Sequence, residues 1–192
     1  MEDNVNRLEF LKLSNQYLHL VETLANELIE HGNRDFIVSN EEIDYELATK
    51  WNDSRIAEPF FFNFYHGLEL LLKGFLINPQ SNHVLTNLVN DFAVSKDNNV
   101  LSEVLKKYIN ENKKLVRPFR SFFEKNKISV DEYHNALRYP MTSNKDKYFY
   151  YDTLKQFDDS ELSFYKDFKD DIIFLRIEVL KLGNRLWVFI YI

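Results

Sequence analysis

The sequence predicts an all-α fold, a helical bundle interrupted by at most one short extended or hairpin segment near residues 147–152. Three observations lead there. Only 4 Gly and 4 Pro punctuate 192 residues, and Leu, Phe, Glu and Lys recur at helical spacing. A 45% hydrophobic and 16% aromatic composition supplies a core without crosslinks. With no Cys, disulfides and thiolate chemistry are excluded, and residues 1–192 read as a single cytoplasmic domain. The longest apolar block, residues 67–77, carries Glu69 and Lys73 and falls short of the roughly 20 residues of a membrane span, so no membrane partner is expected.

Residues 7–30 form the first expected helix, with Leu11, Leu18, Val21, Leu24, Leu28 and Ile29 near one face and Gly32 as its stop. Residues 33–54 lack a sustained period and read as a connection with a short helix around 42–50. A second helix is expected to start near Pro59, whose fixed φ suits a first turn, and to run to Leu76. It is apolar on nearly every side, which places it at the centre of the bundle. Asn78 and Pro79 should end it. Ser81 caps a third helix carrying Leu85, Leu88 and Phe92, and a fourth carries Leu101, Leu105 and Tyr108. Beyond Pro118, Ser129 and Glu132 have capping-box spacing ahead of a short helix through Leu137, which Pro140 closes. The aromatic run at 147–152 suits an extended segment. A long last helix spans 160–182, with Gly183 and Asn184 as its end, and six apolar residues from Trp187 to Ile192 follow. That tail either packs on the core or forms an interface.

Charge is unevenly placed. The net charge of −6 argues against a surface wholly devoted to nucleic acid. Residues 1–50 hold 4 basic and 11 acidic side chains, whereas residues 101–127 hold 8 basic and 3 acidic. Lys113, Lys114, Arg117 and Arg120 are therefore candidates for phosphate contact, or else an ordinary solvated helix face. Phe119, Phe122 and Phe123 interleave with them and could stack on bases, although their spacing also suits a core face.

Two constellations carry polar chemistry. His66, Glu69 and Lys73 lie within about 60° of arc on the apolar helix. Burying a lone charge is costly, so this stripe faces water, pairs internally or lines a cleft, with His83 as a further candidate binding residue. The second constellation is Tyr133-His134-Asn135-Ala136-Leu137-Arg138-Tyr139-Pro140. His134 and Arg138 are four apart, and an adjacent Arg favours the neutral imidazole that a general base requires. They are the candidate catalytic pair, with Tyr139 as a binding residue; the alternative is a cation placed at a helix end. No phosphate loop, nucleophile elbow or zinc template is present, so neither a metal nor a cofactor is expected.

The stretch Phe64-Tyr65-His66-Gly67-Leu68-Glu69-Leu70-Leu71-Leu72-Lys73-Gly74-Phe75-Leu76, then His83-Val84-Leu85-Thr86-Asn87-Leu88 and later Arg138-Tyr139-Pro140, resembles the HEPN superfamily of prokaryotic helical domains. The resemblance covers residues 59–182. It implies a compact bundle, often dimeric, in toxin-antitoxin, phage-defence or RNA-processing systems, with RNA, a nucleotide or a partner protein as ligand. Many members are metal-independent endoribonucleases marked by an Arg with a His four to six residues after it. No Arg here is followed by such a His. The expected function is therefore binding rather than cleavage, the alternatives being a nuclease using His134 and Arg138, or a structural assembly subunit.

Overall fold

Buried residues of α1 (Glu2–Glu30) recur as Arg7, Leu11, Ser14, Leu18, Val21, Ala25 and Leu28, in alternating steps of four and three. The last helix, α7 (Glu161–Tyr191), repeats the pattern with Tyr165, Phe168, Ile172, Leu175, Val179, Leu182 and Leu186. A recurrence of 3.5 residues keeps one seam on a partner helix along its whole length. Along α1 packs α2 (Asp53–Phe75), buried on almost every side. In the computed structural model, residues 2–33, 50–76, 84–95, 99–142, 144, 147–155 and 161–191 are described. The expected helix at 42–49, the Asn78-Pro79 stop, the Ser81 cap and His83 lie outside them.

Helix α2 runs antiparallel to α1: Arg7 meets Gly74, Ser14 meets Gly67 and Asn33 meets Asp53. Gly32, at φ 69°, reverses the chain, and the Gly32 and Asn33 amides bond the Ile29 and Leu28 carbonyls. The Asn33 side chain then donates to Asp53 Oδ2 at 3.1 Å and accepts from the Asp53 amide at 2.7 Å. The Asn52 side chain accepts from the Arg55 amide, which starts α2 six residues before Pro59. Pro59 thus lies inside the helix rather than at its start: an Asn N-cap and a buried Asp53, also bonded by the Tyr165 hydroxyl at 3.2 Å, outweigh one lost backbone bond near an end.

Close approach of α1 and α2 rests on Gly67 and Gly74. The Ser14 hydroxyl donates to the Gly67 carbonyl at 2.9 Å, and Arg7 donates to the Gly74 and Phe75 carbonyls at 3.0 and 3.1 Å. Burial lowers the Arg7 pKa, and these carbonyls take up its donors near the C-terminal end of α2.

Shorter elements wrap the other side of α2: α3 (Leu85–Ser95), α4 (Asn99–Tyr108), α5 (Phe119–Asn126) and α6 (Tyr133–Ala136). Ser129 and Glu132 form the expected capping box ahead of α6. Asp131 in the same turn accepts from the Thr86 amide at 2.8 Å and hydroxyl at 2.6 Å, so the start of α3 is bonded by a residue distant in sequence. Helix α7 passes through Gly183 and Asn184 instead of ending there. Gly183 faces Leu8 of α1, and burial of Leu182 and Leu186 holds the helix on its neighbour, so the apolar tail extends the helix. No helix of the described residues is long and apolar enough to cross a membrane.

A Cβ added at Gly74 would lie 2.6 Å from Leu11 and 3.2 Å from the Arg7 carbonyl, whereas at Gly183 the nearest atom is 3.9 Å away. Gly74→Ala is expected to destabilise by about 1–3 kcal/mol. Gly183→Ala should stabilise by about 0.5–1 kcal/mol. Urea unfolding of both variants checks the opposite signs.

Candidate functional site

Glu69 is 2% exposed and Lys73 8%, on the helix that forms the middle of the fold. Lys73 Nζ donates to Glu69 Oε1 at 2.7 Å, and the Tyr133 hydroxyl donates to Oε2 at 2.5 Å. Both carboxylate oxygens are therefore engaged, which a buried carboxylate requires. Burial, then the hydrogen bond and charge of Glu69, hold the Tyr133 proton far above the ordinary tyrosine range. His66 Nδ1 lies 4.0 Å from Oε2, nearer the surface. The polar stripe is thus internally paired and joined to the 133–139 turn.

Outside this network Phe62 links the two imidazoles. It stacks on His66 at 5.9 Å between centroids and meets the His134 ring edgewise at 5.8 Å, while Tyr17 caps His66 at 4.7 Å. His134 is half-buried. Arg138 stands beyond the end of α6, exposed, with its guanidinium 5.5 Å from the Tyr139 ring centroid. Helix α6 ends at Ala136, where the Leu137 amide bonds the Tyr133 carbonyl and the Tyr139 amide the Asn135 carbonyl.

The chain then doubles back as a short ribbon. Met141 bridges Tyr148 antiparallel; the Thr142 amide donates to Lys147 and the Phe149 amide to Pro140. Residues opposite one another on such strands share a face, and neighbours along a strand alternate. This register puts Tyr148 and Tyr150 on the face of Met141 and Tyr139, and Phe149 and Tyr151 on the other. Exposure follows the register: Tyr139, Tyr148 and Tyr150 are 49%, 64% and 53% exposed, while Phe149 and Tyr151 pack on the core.

Two devices hold the ribbon. Buried Asn126 donates to the Tyr150 carbonyl at 3.1 Å and accepts from its amide at 2.8 Å, as a neighbouring strand would. The Tyr151 hydroxyl lies 2.8 Å from both the Ala136 and Tyr139 carbonyls, and its ring stacks on Phe122 at 5.9 Å. Burial, then Glu58, push its pKa up to about 12. Cations border the outer face: Lys125 and Lys147 lie 5.6 and 5.9 Å from the Tyr150 centroid. Tyr148, Tyr150, Lys125 and Lys147 were not legible as a site, because only tertiary structure gathers them: the bridge pairs Met141 with Tyr148, and Lys125 reaches the Tyr150 ring from α5.

Phe119, Phe122 and Phe123 are fully buried, so none of them is a base-stacking surface; their helical spacing serves the core. Lys113 and Lys114 lie on a short turn before α5, and Arg120 lies in the first turn of α5; all three are exposed. Arg117 instead lines a cavity with Lys107, Asp167 and Asp171. An apolar groove of about 200 Å³ separates α1 and α7, lined by Leu8, Leu11, Val179, Leu180 and Trp187 among others. Among the described residues no three His, Asp or Glu side chains gather as a metal set. No family model, curated protein or solved structure matches the chain.

Tyr133→Phe removes one of the bonds to a buried carboxylate and should cost about 1–3 kcal/mol in urea unfolding. The folded state binds the Tyr133 and Tyr151 protons more tightly than the unfolded chain, whose tyrosines titrate near 10. The Tyr151 contribution to stability is full below pH about 10 and is lost as pH rises through about 12. Tyr151→Phe should flatten the alkaline fall in melting temperature.

Proposed function

We propose that this chain is a non-catalytic, HEPN-like module of a bacterial defence or stress system that binds single-stranded RNA on the tyrosine ribbon. One observation carries the reading: Tyr139, Tyr148 and Tyr150 stand exposed on one face, with Arg138, Lys125 and Lys147 around them. Aromatic faces accept any base and the cations meet the backbone, the combination that single-strand binders use. Tyr148 and Tyr150 are about 6.8 Å apart along the strand, so two unstacked bases can each have a ring. A local patch is also what a chain of net charge −6 can offer to a polyanion. The absent nuclease signature favours binding over cleavage.

Fluorescence anisotropy with an unstructured RNA 12-mer in metal-free buffer tests this. Tyr148→Ala and Tyr150→Ala should each weaken binding by about 1–3 kcal/mol. Lys125→Ala should lower the salt slope by about 0.7. The RNA should stay intact, and affinity indifferent to the two tyrosines sinks the binding site. Cleavage that His134→Ala abolishes would establish the nuclease reading instead.

A second observation supports pairing of two copies. Ile177, Leu180 and Trp187 are 45%, 49% and 49% exposed beside the α1–α7 groove. A two-fold pairing buries the same patch of both copies, and this face offers a partner copy both projecting apolar side chains and a hollow. Light scattering should give a dimer mass, shifted toward monomer by Trp187→Glu with circular dichroism unchanged; a wild-type monomer at high concentration ends this reading.

A further inference from the structure

On the side of the fold bounded by α4 and α7 lies a cavity of about 380 Å³, within the size range of small-molecule sites. Its charged groups differ in their occupation. Lys107 Nζ lies 2.9 Å from both oxygens of Asp171, and the Tyr108 hydroxyl donates to the same carboxylate at 2.7 Å. That carboxylate is satisfied, and it holds Lys107 in place. Arg117 and Asp167 stand exposed at the mouth of the cavity, and among the described residues neither side chain forms a hydrogen bond or ion pair with the protein. Half-buried Val116 and Phe164 supply an apolar wall, with Phe164 stacked on buried Phe168 at 5.5 Å.

The charges select among ligand classes. A phosphate drawn to Arg117 would also face the Asp167 and Asp171 carboxylates, and a free cation drawn to Asp167 would face Arg117 and Lys107. A ligand carrying both charges meets both unpaired groups with no net charge left over. We infer that this cavity binds a zwitterion, a free α-amino acid with an apolar side chain: Arg117 holds the α-carboxylate through its planar fork, Asp167 accepts from the α-ammonium, and Val116 and Phe164 take the side chain. The ribbon is not involved, and the site stands whether or not the ribbon binds RNA.

Isothermal titration and heteronuclear NMR with leucine, methionine and phenylalanine test it on the full chain. At least one should bind, with shifts centred on residues 107–117 and 163–171. Arg117→Gln and Asp167→Asn should each weaken it about tenfold or more, with melting temperature unchanged because neither side chain is engaged in the fold. Phenethylamine and phenylpropionate, each lacking one charge, should bind at least as much more weakly. Absence of binding by all three amino acids overturns the proposal. So does binding of a nucleoside monophosphate that Asp167→Asn strengthens, which would make this an anion site.

Discussion

A carboxylate buried at the middle of the central helix constrains everything around it. Glu69 has almost no contact with water, so both of its oxygens need donors from the protein. Lys73, one turn away, supplies the first from the same helix and ties no elements together. Tyr133 supplies the second from sixty-four residues away and thereby fixes the 129–140 segment against α2. Removing either partner would leave a charge in the core with half its bonds, a larger penalty than the intact network returns as stability. The same contact locates His134 beside Phe62 and sets the start of the ribbon.

The long helices obey a different constraint. Gly67 and Gly74 bring α2 close enough to α1 for Ser14 and Arg7 to bond its backbone carbonyls. Such bonds specify alignment as well as contact, since a shift of one turn would leave the buried Arg7 without acceptors. Helix α7 closes the opposite side of α1 with the ion pair of Arg176 and Glu22 and with Arg176 donating to Asn15 at 3.1 Å. The result is a three-helix layer whose second side is covered by short elements, and the tyrosine ribbon sits on those short elements.

Electrostatics follows the same division. Residues 1–50 carry 11 acidic against 4 basic side chains, whereas exposed cations gather around α5 and the ribbon. Close to Tyr150 two lysines share one ring, an arrangement whose free energy is small alone and grows when a ligand excludes water. The α4–α7 cavity is of another kind: opposite charges are balanced there, and one of each sign is left available.

Several features were legible in the residues themselves. Helical recurrence predicted the bundle, the all-round apolar pattern identified its central helix, and the Ser129 and Glu132 spacing identified a cap, because each depends on neighbours within a turn or two of chain. Pro59 and Gly183 misled for the same reason: local preference named a start and a stop, and buried Asp53 and the contact of Gly183 with Leu8 overrode both. Whether His66, Glu69 and Lys73 faced water or one another was left open by the sequence, since a stripe on a helix does not say what covers it. The bond from Tyr133 answered that. Likewise, three tyrosines separated by up to eleven residues share a face only through the antiparallel register of 139–142 with 147–150, and that register is held by Asn126 and Tyr151. Local periodicity is a property of the chain, but the meeting of distant side chains is settled by packing, and the candidate sites of this protein are all of the second kind.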